Sequence, residues 1–126
     1  MRRMLYKRRL KKIIEQMKRK SPGFTLAKIA GVLEIEPSYL SRFLSDSQIH
    51  FSDDLLCRLL SELQLSAEEM DYVFLLKEYD RTEHPERKIY LSAKIQSHRF
   101  SYWKHELSLL KKQLIEILDV IEKANL

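Results

Sequence analysis

The chain has 126 residues, of which only two are glycine and three are proline, and 33% are charged. A chain of this length can bury one hydrophobic core and carry an extension, but it is too short for two full-sized domains. Leu, Lys, Glu, Ile, Arg and Ser dominate while turn-forming residues are scarce. The composition therefore predicts an all-α protein.

The net charge of +5 is distributed unevenly along the chain. Residues 1–20 contain ten Lys or Arg and one acidic residue, Glu15, so that they carry +9 while residues 21–126 sum to −4. A basic segment of this kind suits phosphate groups, although its charges can equally serve as the solvated face of a helix. If Arg2 and Arg3 precede the first helix, they can form a basic arm that reaches into the minor groove of a nucleic-acid duplex.

Several classes of protein are disfavoured. The single cysteine, Cys57, excludes an intrachain disulfide and is typical of a reducing cytoplasm, so we expect a cytoplasmic protein. We find no metal-ligand spacing, no phosphate-binding glycine loop and no nucleophile motif, and therefore expect no metal, no cofactor and no enzyme activity. No apolar run approaches the roughly 18 residues of a membrane span, so no membrane partner is expected.

The first predicted helix lies between Arg2 and Lys20. Its apolar residues recur at helical spacing on a basic background, and Ser21-Pro22-Gly23 ends it. They are Met4, Leu5, Tyr6, Leu10, Ile13, Ile14 and Met17.

Two short helices with a tight turn between them are predicted next. Thr25 is a good N-cap for the second helix, whose inward positions are Leu26, Ile29, Ala30 and Leu33. Glu34, Ile35 and Glu36 form the turn. Pro37 suits the first position of the third helix. The third helix turns Leu40, Phe43 and Leu44 inward and leaves Ser38, Ser41, Arg42 and Ser45 outside.

A polar loop over residues 45–50 precedes two further helices. Ser52 caps the fourth helix, and Ser66 with Glu69 forms a capping box for the fifth. The predicted core positions of these helices are Leu55, Leu56, Leu59, Leu60, Leu63, Met70, Val73, Phe74 and Leu76. Five helices thus occupy residues 1–80, and the highly charged segment 81–88, which contains Pro85, is predicted to be a linker.

Residues 89–126 have a different period and are predicted to form a coiled-coil-like helical extension. Its apolar residues are spaced alternately three and four apart over three heptads. This seam consists of Phe100, Trp103, Leu107, Leu110, Leu114, Ile117 and Ile121. We expect it to form a homodimer, and the alternative is that it folds back on the domain or on residues 89–95 as a helical hairpin.

The segment from Thr25 to Leu65 resembles the Cro and lambda-repressor-like (XRE-type) helix-turn-helix family. The resemblance rests on the short second helix, the Ser-Tyr-Leu-Ser-Arg sequence at residues 38–42 and the Leu-rich fourth helix, and it extends over about residues 5–80. It implies a five-helix domain whose third helix enters the major groove of DNA, in a nucleoid-associated protein of a bacterium or phage. The chain departs from the family pattern at Glu34 and Asp46, where glycine is common, and at Leu26, which replaces a frequent glutamine. Since glycine is usual at its position, the resemblance implies a left-handed backbone at Glu34, which costs roughly 1 kcal/mol for a residue other than glycine.

The resemblance also implies two sets of DNA-binding residues. The residues facing bases are Pro37, Ser38, Tyr39 and Arg42, and those meeting phosphates are Thr25, Lys28, Ser45, Ser47 and Gln48. Arg42 is the best base reader, because a guanidinium donates two hydrogen bonds to guanine O6 and N7, which is worth about 1–3 kcal/mol of discrimination.

The sequence therefore favours a sequence-specific transcriptional regulator that binds a pseudo-palindromic operator as a homodimer, with half-sites about 34 Å apart. The alternative is a helical protein-interaction or scaffold module with nonspecific nucleic-acid affinity. A third hypothesis places the basic N-terminal helix on an acidic membrane surface. A small-molecule effector is not favoured, because Tyr102 and Trp103 fit a helical seam and no convergent polar motif accompanies them.

Overall fold

The computed structural model describes residues 4–125, and this part of the chain contains six α-helices and no β-strand. The helices are α1 (Leu5–Lys20), α2 (Leu26–Leu33), α3 (Pro37–Ser45), α4 (Asp53–Glu62), α5 (Ala67–Arg81) and α6 (Pro85–Ala124). The predicted all-α class is confirmed. The proposed arm at Arg2 and Arg3, and Leu126, lie outside the described residues.

The hydrophobic core is formed by the inner faces of α1 to α5 and the first turns of α6. Helix α1 packs against α3 and α5, while α2 packs against α3 and α4. The most deeply buried apolar side chains of the core, each at most 2% exposed, are Tyr6, Leu10, Ala30, Leu33, Leu40, Phe43, Phe51, Leu56, Leu59, Leu60, Leu63, Val73, Leu76 and Leu91. Burial of each large apolar side chain contributes roughly 1.5–3 kcal/mol, so this set outweighs any polar contact in holding the helices together.

Aromatic rings connect α3 to the rest of this core. The Phe43 ring stacks on Phe51, with ring centroids 3.8 Å apart and planes at 9°. The ring of Tyr6 on α1 also lies next to Phe43, with the two ring centroids 6.3 Å apart. Helix α3 is thereby fixed between α1 and the segment that precedes α4.

Local sequence sets the starts of three helices as predicted. The hydroxyl oxygens of Thr25, Ser52 and Ser66 each accept the backbone N–H of the third residue along, in every case at 3.2 Å. These bonds satisfy donors that the first helical turn cannot satisfy itself. The predicted caps of α2, α4 and α5 are confirmed.

Helix α1 has no side-chain cap of its own and uses a residue that is distant in sequence. The N-cap residue Met4 makes no capping bond, but Asp80 Oδ2 accepts the N–H of Tyr6 at 2.9 Å. Asp80 lies near the end of α5 and is only 7% exposed. A carboxylate at the positive end of a helix is favourable, so this contact joins α1 to α5 electrostatically.

The turn between α2 and α3 has the conformation that the resemblance implied. Glu34 has φ 58° and ψ 39°, which lies in the left-handed region. Two backbone bonds compensate, since Glu34 donates to Gly31 at 3.2 Å and Ile35 donates to Ala30 at 3.0 Å. Pro37 occupies the first turn of α3, where its missing N–H costs nothing.

The connection after α5 differs from the predicted linker at 81–88. Only residues 82–84 are non-helical, because α5 continues to Arg81 and α6 starts at Pro85. Proline is compatible with a first helical turn, so in this sequence it starts a helix instead of separating two units. Thr82 is 8% exposed, which makes the connection part of the packed structure.

The first turns of α6 belong to the core, which therefore extends past the predicted boundary at residue 80. Leu91 and Ile95 are buried at 1% and 6% exposure. Arg99 Nε donates to the Tyr72 hydroxyl of α5 at 2.9 Å, and the Lys88 ammonium lies 5.1 Å from the Tyr79 ring centroid. The section of α6 from Lys88 to Arg99 is thus held against α5.

Beyond Arg99, helix α6 continues without contact with the core. The seam residues from Phe100 to Ile121 are all exposed, between 50% and 70%. Residues 100–124 span about 37 Å at the 1.5 Å rise of an α-helix. The alternatives in which the seam folds back on the domain, or pairs with residues 89–95 as a hairpin, are wrong, because α6 is a single helix whose outer half is uncovered.

A pair of leucine substitutions tests this division of the chain. Leu59→Ala removes a side chain with no exposed surface and should lower the free energy of unfolding by about 2–5 kcal/mol. Leu109→Ala, at a site that is 44% exposed on α6 and lies outside the seam, should change it by less than about 0.5 kcal/mol. Urea denaturation followed by circular dichroism measures both; equal losses would contradict the assigned core.

Candidate nucleic-acid interface

Helix α3 presents a continuous polar face to solvent. Ser38, Ser41, Arg42 and Ser45 are exposed and lie on one side of the helix, while Leu40, Phe43 and Leu44 on the other side are at most 8% exposed. This division follows from the helical spacing and agrees with the sequence analysis. Within residues 4–125, no other helix covers the polar face.

Arg42 is the longest side chain on this face, and its guanidinium lies over an aromatic ring. Its guanidinium carbon is 6.0 Å from the Tyr39 ring centroid, at the outer limit of a cation–π contact. The three neighbouring serines are short. A flat surface could therefore approach α3 closely, with Arg42 reaching furthest toward it.

Tyr39 and Pro37 flank this face. Tyr39 is half-buried, and its ring lies 5.4 Å from that of Phe51, so part of the residue belongs to the core. Pro37 is exposed at the start of α3. The structure thus brings all four residues predicted to face bases to one end or side of α3, but Tyr39 offers only its outer edge.

Two of the residues predicted to meet phosphate lie at the start of α2. The Thr25 hydroxyl oxygen accepts the N–H of Lys28, which leaves its own O–H to donate elsewhere. The Lys28 ammonium donates to the carbonyl of Gly23 at 2.9 Å and is otherwise exposed. An ammonium has three donors, so Lys28 keeps two of them for an anion in front of the helix.

The other three residues predicted to meet phosphate, Ser45, Ser47 and Gln48, lie at the end of α3 and in the loop that follows. Ser45 donates to the carbonyl of Ser41 at 3.1 Å, so its hydroxyl is turned back on the helix. Gln48 is exposed and Ser47 is half-buried. Asp46 Oδ1 accepts the N–H of Gln48 at 2.8 Å, which closes a small turn and gives this carboxylate a local structural role.

The loop after α3 is held by two adjacent residues of α1 that the sequence analysis did not assign to the site. The buried Lys7 ammonium donates to the carbonyls of Asp46 and Ile49. The Tyr6 hydroxyl lies 2.6 Å from His50 Nδ1. The sequence contains one indication that Lys7 is buried. It precedes Leu10 by three residues and Ile14 by seven, and this spacing places it on the apolar face of α1.

Positive charge from α1 reaches the vicinity of this loop. Arg8, Lys11 and Lys12 are exposed on α1, as are Lys18, Arg19 and Lys20 in its last turn. Burial lowers the pKa of the Lys7 ammonium, Asp46 opposes that effect, and the charge of Lys11 adds to it. Lys11 lies one helical turn after Lys7, whose ammonium holds the loop.

The His50 imidazole is surrounded by cations. Its pKa is lowered, first by burial and then by the charges of Arg81, Lys7 and Lys77. Burial raises the pKa of the Tyr6 hydroxyl, which therefore stays protonated and can donate to the neutral imidazole. A neutral His50 is thus the form that suits this environment.

No helix within residues 4–125 is long and apolar enough to cross a membrane. In the same part of the chain, no three His, Cys, Asp or Glu side chains come together in a way that could hold a metal ion. Comparison of the chain with protein-family models, with curated proteins and with solved structures gave no match.

The environment of His50 gives a pH prediction. Because the folded state lowers its pKa, the unfolded state takes up this proton first as the pH falls below about 6.5. The stability that neutral His50 provides is complete above that pH and is lost as the pH falls through the lowered pKa. His50→Gln should therefore lose less free energy of unfolding than the wild type between about pH 7 and about pH 5.

Urea denaturation at the two pH values measures this difference, since other titrating groups are common to both proteins. His105→Gln, which removes an exposed imidazole on α6, is the matched control. An identical pH dependence in wild type and His50→Gln would contradict the assignment.

Proposed function

We propose that the chain is a sequence-specific DNA-binding regulator of transcription, of the Cro and lambda-repressor-like helix-turn-helix type, acting in the cytoplasm of a bacterium or on behalf of a phage. The observation that carries the proposal is the exposed polar face of α3, whose opposite side is fixed in the core. A rigid helix with an uncovered polar face is what insertion into the major groove requires. Short serines allow close approach, and Arg42 supplies a base-reading side chain.

Phosphate contacts would set the orientation of α3 in the groove. The exposed Lys28 at the start of α2 and the exposed Gln48 after α3 flank the polar face along the chain. The basic outer face of α1 adds nonspecific affinity, because each neutralised phosphate releases counterions and contributes about 0.9 to the log–log salt slope. The same cations would make binding strongly dependent on salt.

The outer half of α6 supports the homodimer in this proposal. Its seam is uncovered over residues 100–121, and exposing so many large apolar side chains in water is unfavourable. Their regular spacing matches a coiled coil, and a second copy of the chain offers a seam of the same shape. The two copies of α3 in a dimer would then read two related half-sites. A single short helix, which contacts one half-site, would give little sequence specificity.

A protein-interaction module remains the second candidate, because the seam also fits an apolar helix of another protein. In that case α1 to α5 would serve as a scaffold, with nonspecific affinity for nucleic acid from α1. Sequence preference distinguishes the two functions, since nonspecific phosphate binding carries none.

Replacement of Arg42 tests base reading directly. Arg42→Ala should keep the fold, because the side chain is exposed, and should lose about 1–3 kcal/mol of discrimination at one base pair. Selection of bound sequences from random duplexes with the wild type and with the variant measures this change. The control is Arg87→Ala, which removes an exposed guanidinium at the start of α6, outside the candidate interface. This guanidinium lies 3.7 Å from the Glu78 carboxylate of α5. Unchanged selectivity in Arg42→Ala, or no preferred sequence in the wild type, would favour the interaction module.

Adjacent residues on α6 test the homodimer. Leu114 and Ile115 are exposed to nearly the same degree, 60% and 58%, but only Leu114 lies in the seam. Leu114→Lys should place a charge in the dimer contact and reduce the mass in solution to that of one chain, whereas Ile115→Lys should leave the dimer intact. Sedimentation velocity measures the mass. A wild type that is monomeric at micromolar concentration would contradict the homodimer.

A further inference from the structure

The loop from Asp46 to His50 connects α3 to the segment before α4 and has no regular structure. It contains Ser47 and Gln48, two of the residues proposed to meet phosphate. Its two internal hydrogen bonds both end on Asp46: Ile49 donates to the Asp46 carbonyl at 3.4 Å, and Gln48 donates to the Asp46 carboxylate at 2.8 Å. Neither bond ties the loop to a helix other than α3. The shape of this loop therefore depends on contacts from outside it.

Lys7 provides the main such contact from the apolar side of α1. Its ammonium donates to the carbonyls of both Asp46 and Ile49, and so spans the loop. The side chain is only 4% exposed, and its ammonium lies 4.7 Å from the Phe43 ring centroid. The geometry thus links three structural parts: α1, the inner face of α3 and the loop.

Burying an ammonium is costly unless it is hydrogen-bonded and near compensating charge. An apolar side chain of similar length would fill this space without that cost. What the ammonium adds is therefore the pair of bonds to the loop carbonyls, not the packing of the core. The adjacent Tyr6 holds His50, the last residue of the loop, at 2.6 Å.

We infer that Lys7 is a positioning residue for DNA binding: by clamping the carbonyls of Asp46 and Ile49, it holds Ser47 and Gln48 in the arrangement that contacts a phosphate. The inference rests on the proposed function. Lys7 itself does not contact the phosphate, because its ammonium is enclosed by the loop and the Phe43 ring. Tyr6 fixes the far end of the same loop through His50.

The test compares Lys7→Met with Lys112→Met, which removes an exposed ammonium on the outer half of α6 away from the seam. The first measurement is amide hydrogen exchange of the free protein. In Lys7→Met the amides of Gln48 and Ile49, which both donate to Asp46, should exchange about tenfold faster, the effect of losing one or two hydrogen bonds. The amides of α4 and α5 should keep their wild-type rates, and Lys112→Met should match the wild type throughout.

The second measurement is affinity for the duplex selected by the wild type, at several salt concentrations. Lys7→Met should bind about tenfold more weakly with an unchanged salt slope, because a clamping lysine releases no counterions. A lysine that contacts phosphate itself would instead reduce the slope by about 0.9. A reduced slope overturns the inference.

A double-mutant cycle with Gln48→Ala separates positioning from general stability. If Lys7 acts through the loop, Lys7→Met should cost much less affinity in the Gln48→Ala background than in the wild type. Fully additive losses overturn the inference, as do unchanged exchange rates in the loop. Loss of the helical circular dichroism signal in Lys7→Met also overturns it, because the ammonium would then serve the whole core.

Tyr6→Phe tests the other end of the loop, since it removes one oxygen and keeps the ring. It should accelerate exchange of the Ile49 amide, which is adjacent to His50, while the Asp46 amide, which donates to Arg42, changes less. A wild type that selects no sequence rejects the proposed function, whereas a wild type that binds specifically while Lys7→Met binds equally well rejects only the role of Lys7.

Discussion

The placement of α3 depends on the stacking of Phe43 on Phe51, with ring centroids 3.8 Å apart. This pair lies where α1, α3 and the segment before α4 meet, and each ring is at most 2% exposed. Large aromatic side chains contribute more buried area than any other residue at such a junction. The contact fixes the inner side of α3, and the exposed serines and Arg42 on the outer side of the same helix are positioned with it.

The sequence was most informative where the structure depends on neighbours along the chain. Helical spacing predicted which side of α3 is buried, and the hydroxyl residues at 25, 52 and 66 predicted three helix starts, because a cap acts within one turn. The left-handed conformation of Glu34 was expected from the resemblance alone, because glycine is common at this position of the family. These features concern the backbone within a few residues, where local rules apply.

Contacts between distant residues were not predictable in the same way. Asp80 caps α1 from 74 residues away, and Lys7 reaches a loop some 40 residues on, so neither partner can be read from local pattern. The charged segment 81–88 was interpreted as a linker because charge and proline are typical of one. In the structure the same residues end α5, form a short buried connection at Thr82 and start α6 at Pro85.

Helix α6 has one backbone but two environments. Between Lys88 and Arg99 it is packed against α5, and from Phe100 onward it is surrounded by solvent in the single chain, with no break in the helix between these sections. A helix turns by about 100° with each residue, so the direction in which the seam faces is fixed relative to α5 by the number of residues between them. In the proposed dimer built on that seam, the two copies of α3 would be held at a fixed angle and separation, because each is joined to the seam by a continuous helix and not by a flexible linker. The distance between the two half-sites of an operator would then depend on the number of helical residues between α5 and the seam.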